Sequence, residues 1–227
     1  MIELYHGSTE IIRKPTFGMG RVHNDYGRGF YCTESKDLAN EWACSSINDG
    51  ICNHYQLEDK HLKILNLNTE EYSILNWMAI LVANRIFRTD APIAGRAKRY
   101  LEEHFMVNVS AYDVIIGYRA DDKYYDFANA FLSNTITVEQ LARAMRLGTL
   151  GEQVVLKSKF AFENIEFKGY SVADKEVYFP KRDKRNEEAG CGFDRICKEA
   201  ADGLFMIDIM RAELRNDDPR IPRNIPE

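Results

Sequence analysis

No uncharged apolar run in this chain approaches the roughly 18 residues that a membrane-spanning helix needs. The longest, Trp77-Met78-Ala79-Ile80-Leu81-Val82-Ala83, has the length of a buried helix segment. Cysteine is sparse: positions 32, 44, 52, 191 and 197 give no CxxC pair, and the five histidines are scattered. No metal site is therefore expected. The segment Met1–Tyr5 carries neither the basic region nor the apolar stretch of a secretion signal. Reduced thiols in a cytoplasmic protein are the expectation that follows. Positive charge is not in excess either, since 30 Lys and Arg face 35 Asp and Glu, a net charge of -5. That balance excludes attraction to nucleic acid or membrane by bulk charge. It also weakens a helix-turn-helix reading of Glu139–Arg146, which lacks a basic recognition face. There is no repeat and no low-complexity tract. What the chain does have is 45% hydrophobic residues, including 12 Tyr and 12 Phe, enough core for one domain with an appendage.

The first 33 residues alternate strand-like runs with glycine-rich turns: Ile2–Tyr5, a loop through Gly18 and Gly20, then Gly29–Cys32. A helix is expected over Asp37–Ser45, with strands at Asn53–Leu57 and Leu62–Leu67. Thr69 followed by Glu70 and Glu71 signals a helix start, and its apolar pattern runs to Phe87. Thr89–Gly95 reads as a linker around Pro92, and Arg96–Phe105 as a basic helix. Tyr112–Tyr118 reads as a central strand. Asp121 and Asp122 open a helix over Lys123–Leu132, and Thr137 with Gln140 forms a capping-box pair before a helix to Arg146. Gln153–Lys157 and Ile165–Phe167 complete the strands. After Gly169 the composition shifts. The charge run 181–188 suits a solvated helix face, Leu204–Met210 must pack on the body or on a partner, and the chain from Asp217 reads as a loose tail. Strands interleaved with unequal helical segments predict an α+β fold, with residues 1–168 as the main domain and 169–227 as a helical extension.

Two motifs carry chemistry. Leu4-Tyr5-His6-Gly7-Ser8 is a strand that ends in an imidazole and a glycine. Gly7 allows a ligand to approach the backbone, whose N–H and C=O can bind an amide. His6 places a ring where it can hydrogen-bond a sugar hydroxyl. The second motif, Tyr26-Gly27-Arg28-Gly29-Phe30-Tyr31-Cys32-Thr33, ends a tight turn in a strand whose Tyr31 can stack on a flat heterocycle. Taken singly, each piece is more often a turn, a core tyrosine or a structural histidine. Cys32 follows Tyr31 directly, but no nearby His suggests a nucleophilic dyad, so a buried strand cysteine is expected.

In combination and order, the motifs resemble the ADP-ribosyltransferase superfamily, in the His–Tyr–Glu branch shared by poly(ADP-ribose) polymerases and diphtheria toxin. Polymerases carry Leu-Trp-His-Gly-Ser and Gly-Lys-Gly-Ile-Tyr-Phe-Ala-Asp, similar to residues 4–8 and 27–34 here. The chain is still more similar to a bacterial family of unknown function placed in that superfamily. The shared pattern is Tyr-His-Gly-Ser at 5–8, Gly-x-Gly-Phe-Tyr-x-Thr at 27–33 and Tyr-Asp-Val-Ile-Ile-Gly at 112–117. The resemblance implies two packed small β-sheets forming an NAD+ cleft, with helical insertions over 70–106 and 121–147. It implies that His6 holds a ribose hydroxyl, that the Gly7 backbone clamps the nicotinamide amide, and that Tyr31 stacks under its ring. Trp42 or Tyr26 would close the sandwich, with Arg28 and Gly29 beside the dinucleotide. Ser8 and Thr33 are polar neighbours for which capping roles weigh more.

The third motif of the superfamily is a glutamate at the start of a late strand. In Gly151-Glu152-Gln153-Val154-Val155, either Glu152 or Gln153 fills that place. A one-residue slip in a strand turns the side chain to the opposite face, so the two assignments exclude each other. The choice matters because breaking the nicotinamide–ribose bond builds positive charge on the sugar, which a carboxylate stabilises and an amide does not. The implied activity is NAD+-dependent mono-ADP-ribosyl transfer to a protein or nucleic-acid acceptor, with NAD+ as co-substrate. The alternative is a binding module that lost turnover. By analogy the protein would be a bacterial toxin whose apolar tail meets a small antitoxin protein. Between residues 11 and 36, Arg13, Lys14, Arg21, Arg28 and Lys36 against Asp25 and Glu34 make a local basic stretch suited to a diphosphate.

Overall fold

The computed structural model describes residues 1–87, 92–120, 123–149 and 151–224. Among these residues, seven strands form two sheets. In the first, β1 (Ile2–Ser8), β3 (Gly50–Leu57) and β7 (Ile165–Ala173) run antiparallel in the order β1-β3-β7. In the second the order is β2-β6-β5-β4, from β2 (Phe30–Cys32), β6 (Gln153–Leu156), β5 (Val114–Gly117) and β4 (Ile64–Asn66). The β4–β5 pair is parallel and the others antiparallel. A bridge joins the sheets: Tyr5 N–H donates to Thr33 O at 2.8 Å and Thr33 N–H to Tyr5 O at 2.9 Å.

Side-chain alternation explains the layering. Leu4, Cys32, Tyr55, Leu57, Val114, Ile116, Val154 and Leu156 point between the sheets and form one core. Their neighbours Ile115 and Val155 point the other way, into a larger helical core. Strands β5 and β6 are thus buried on both faces, which is why they read as unbroken apolar runs.

The helices are α1 (Lys36–Ala43), α2 (Ile74–Asn84), α3 (Pro92–His104), α4 (Lys123–Leu132), α5 (Val138–Ala144), α6 (Lys159–Glu163), α7 (Lys175–Lys198) and α8 (Met206–Arg211), and the second core is built from α2 to α5, α7 and α8. Helix α2 is apolar around its whole circumference and its residues from Ile74 to Val82 are all buried, as a central helix requires. The expected insertions at 70–106 and 121–147 are the pairs α2/α3 and α4/α5. Among the described residues, no helix is long and apolar enough to cross a membrane.

Several boundaries differ from expectation. Helix α2 starts after Ser73, not Thr69, because Asn76 Oδ1 accepts from the Ser73 N–H at 2.8 Å and completes the cap. Pro92 lies inside α3, as a first-turn residue without an N–H to satisfy, while Thr89–Ala91 of the expected linker fall outside the described residues, as do Asp121 and Asp122. Strand β7 continues past position 168 to Ala173, so the extension begins with Asp174, the N-cap of α7. The composition shift at Gly169 marks a β-bulge, where the register to β3 slips between His54 and Tyr55.

The tail is not loose through Asn224. Ile221 and Asn224 are buried, and Asn224 donates from Nδ2 to Leu67 O at 2.6 Å and from its N–H to Tyr72 O at 2.9 Å. The apolar segment 204–210 also packs on the body. Met206 and Ile209 are buried in the helical core, the first of the two places expected for this segment.

Candidate functional site

A cleft of about 900 Å³ opens where β1 and β2 part beyond the Tyr5–Thr33 bridge. Its walls bring together His6, Gly7, Gly29, Tyr31, Trp42 and Gln153, which come from β1, the turn before β2, β2, α1 and β6. In a strand, residues two apart turn their peptide groups to the same edge. The N–H and C=O of Gly7 therefore face the same way as those of Tyr5, which bond outward to Thr33, and Gly7 presents them at the open end of that seam. Glycine is required here for a second reason: a Cβ would lie 2.1 Å from Ala39 O and 2.7 Å from Ala43 N, because α1 packs directly on β1.

Tyr31 is held by its phenol, which donates to Gly27 O at 2.5 Å and accepts from Tyr26 N–H at 3.1 Å. Burial pushes that phenol above its ordinary pKa, so it remains a neutral aromatic surface. The turn behind it is fixed in turn by Lys157, whose ammonium donates to the carbonyls of Tyr26 and Arg28. Of the two aromatics expected to close on Tyr31, Trp42 lines the cleft. Tyr26 is buried in the helical core and donates to Tyr118 O at 2.7 Å. The guanidinium of Arg119 lies 3.6 Å from the centre of the Trp42 ring, a close cation–π stack.

His6 Nδ1 sits 2.7 Å from Tyr31 O. A carbonyl can only accept, so Nδ1 carries the proton and the neutral ring leaves Nε2 as an acceptor. Burial holds the imidazole below its usual pKa of 6.5, partly opposed by that carbonyl. A group whose folded pKa is depressed stabilises the fold above its unfolded pKa, and the contribution is lost as pH falls through the folded value. Unfolding free energy should thus decline as pH drops below 6.5, and His6→Asn should remove that component of the slope. Urea unfolding at a series of pH values tests this, and an unchanged slope in the variant would refute it.

Glu152 and Gln153 separate by face. Gln153 lines the cleft and is 6% exposed, whereas Glu152 is exposed, lies before β6 and accepts from Asn68 Nδ2 at 2.5 Å. The pairing of β6 with β5, Gly117 opposite Gln153, fixes that choice. Of the other candidates, Arg28 is not where it was expected, while Ser8 and Thr33 make the local contacts that weighed more for them. Arg28 is exposed and its side chain is not in the cleft wall. Ser8 caps the loop that follows β1, donating to Glu10 O at 2.6 Å. Thr33 is buried and accepts from Ser35 N–H at 3.2 Å, ahead of α1. Cys32 is buried between the sheets with its thiol pKa raised by desolvation, which does not suit a nucleophile.

The sequence also understated the charge in the cleft. Lys14 and Arg21 of the basic stretch line it, but so do Arg85 and Arg119 from distant segments, against the carboxylates Glu10 and Asp25. Asp25 had the role of a counter-charge in the sequence. Here it is buried, with its Oδ2 accepting from Ala120 N–H at 2.8 Å and its Oδ1 3.6 Å from Arg85 Nη1. An acidic residue placed just before the Gly27 turn was the signal available for it. The loop that bears Lys14 and Arg21 is anchored at its start, where Ile12 N–H donates to Asn53 Oδ1 at 2.8 Å and Tyr55 donates to Ile12 O at 2.5 Å.

Neither a curated protein nor a solved structure matches the chain. A family model described as a protein of unknown function, DUF3990, matches residues 2–167, a span that holds both sheets up to the bulge in β7 and all the cleft residues named above. By that match over most of its length, the chain belongs to the DUF3990 family.

Proposed function

We propose that the cleft binds NAD+ and that the protein is a mono-ADP-ribosyltransferase of the superfamily its motifs resemble. The observation that carries the reading is the convergence of His6, the open peptide edge of Gly7, Tyr31 and Gln153 at one cleft, although they are remote in sequence. The residues suit the ligand. A volume of about 900 Å³ lies near the upper end of small-molecule sites, as a dinucleotide needs. The Gly7 edge offers a donor and an acceptor, matching the donor and acceptor of a carboxamide. Tyr31 and Trp42 offer flat faces, His6 Nε2 accepts from a ribose hydroxyl, and Lys14 and Arg21 are the cations for a diphosphate. In the reaction the bond from the ribose anomeric carbon to nicotinamide breaks, and its electron pair leaves with nicotinamide. The acceptor nucleophile takes the carbon and releases its proton.

The test is nicotinamide release and label transfer from labelled NAD+, alongside NAD+ binding by calorimetry. Tyr31→Ala should weaken binding about tenfold, the order expected from losing an aromatic pair. Gln153→Ala should lower nicotinamide release with a smaller change in binding. A wild-type protein that neither binds NAD+ nor releases nicotinamide would overturn the reading. One observation favours a second reading, a module that binds NAD+ without turnover: the side chain facing the cleft from β6 is the amide of Gln153. Binding without nicotinamide release, with acceptor supplied as whole-cell lysate, would select it.

A further inference from the structure

The amide of Gln153 is not oriented by chance. Its Nε2 lies 3.4 Å from Asp25 Oδ2, the same oxygen that receives the Ala120 N–H, while Arg85 faces the other carboxylate oxygen. An ionised carboxylate only accepts, so Gln153 must turn its NH2 toward Asp25. The opposite end, Oε1, is then buried in the cleft wall without a hydrogen-bond partner among the described residues. Leaving such an acceptor unsatisfied keeps its desolvation penalty without the bond that offsets it. A buried polar orphan in a ligand cleft calls for an explanation, and a ligand donor supplies one.

We propose that Asp25 is a positioning residue for Gln153: it fixes the amide with Oε1 toward the ligand and polarises it through the N–H, so the pair replaces the single carboxylate of the third motif. This rests on the NAD+ reading given above. Oε1 accepts from the hydroxyl of the ribose that bears nicotinamide. The negative charge of Asp25, passed on as amide polarisation, lies behind the positive charge that builds on the sugar as the bond breaks. Neither side chain gains or loses a proton. The ligand class this selects is a nucleotide whose reacting sugar carries a free hydroxyl donor.

A carboxylate that only tied the turn before Tyr26 to Ala120 and Arg85 would make a different prediction, and a charge-swapped pair separates the two. Asp25→Asn keeps the shape and removes the charge. It should lower nicotinamide release about 100-fold, the scale of a lost oriented electrostatic group, with KM little changed. Asp25→Asn combined with Gln153→Glu puts the carboxylate at 153 and the amide at 25, and should recover at least about tenfold over Asp25→Asn alone. Gln153→Glu alone retains the ties of Asp25 and sets two carboxylates together, so its activity should rise toward lower pH as one of them protonates. It therefore reports even where Asp25→Asn does not fold.

A readout independent of turnover is the side-chain NH2 signal pair of Gln153 in a proton–nitrogen correlation spectrum, identified by its loss in Gln153→Glu. The pair should shift in Asp25→Asn. Unresponsive amide signals overturn the orienting role whatever the activity, and a double variant no better than Asp25→Asn overturns the charge role. Responsive amide signals in a protein that neither binds nor cleaves NAD+ would overturn the NAD+ reading and support the orienting role of Asp25.

Discussion

Gly7→Ala is expected to destabilise the protein by about 3 kcal/mol, the upper range for overpacking, and to abolish the NAD+ binding proposed for the cleft. The added Cβ meets main-chain atoms, Ala39 O at 2.1 Å and Ala43 N at 2.7 Å, which cannot yield as the tip of a flexible side chain can. Helix α1 would have to withdraw from β1. Since α1 carries Trp42 and β1 carries His6, the two walls of the cleft would separate together. For a chain of this size 3 kcal/mol lowers Tm by roughly 10 °C. Thermal unfolding followed by circular dichroism measures it. A variant that melts with the wild type would mean that α1 and β1 are not in the contact described.

The second large effect lies at the back of the same helix. Glu41 is 2% exposed and receives a bidentate contact from Arg185 of α7, Nε to Oε2 at 2.9 Å and Nη2 to Oε1 at 2.7 Å. The remaining terminal nitrogen of Arg185 donates to Gly148 O at 2.6 Å. Breaking a buried pair leaves a charge without its counter-charge, which costs about 3–5 kcal/mol, and Arg185 is somewhat exposed, so about 3 kcal/mol is expected for Glu41→Ala. Replacing both residues by leucine should cost less than that single change, because no charge is stranded. Urea unfolding at neutral pH provides the comparison. A loss under about 1 kcal/mol for Glu41→Ala would show that the pair contributes little beyond a surface ion pair.

These two sites also mark what the sequence could reveal. The glycine at position 7 was legible because it sits in a motif, with a use for its missing side chain that does not depend on the rest of the fold. The Glu41–Arg185 tie was not, since the charge run around Arg185 reads as solvated helix surface and most of it is. The choice between Glu152 and Gln153 was illegible for a related reason. Val154, Val155 and Leu156 are all apolar because β6 is buried on both faces, so no alternation revealed which face was which. Only the pairing with β5 and β2 determines it. Helix caps are local enough to read in type but not always in place: Thr137 with Gln140 caps α5 where the sequence predicts it, while the start predicted at Thr69 is made by Ser73 and Asn76. Asp25 escaped because its partners, Ala120, Arg85 and Gln153, are each far along the chain.

The pairing of β2 with β6 has a consequence for synthesis. Tyr31 leaves the ribosome early, but the strand beside it does not exist until Gln153–Leu156 has emerged, and β3 waits still longer for β7. Strand β1 can pair with β3 once Leu57 is made, but through most of translation β2 stands without its partner strand beside a growing bundle of apolar helices. Gln153 must then be brought to the cleft across a long loop, an arrangement that favours slow closure over stepwise growth. A ribosome carrying a nascent chain that stops short of β6 therefore displays His6 and Tyr31 without a site, and whatever reactivity the finished cleft possesses arises only near the end of synthesis.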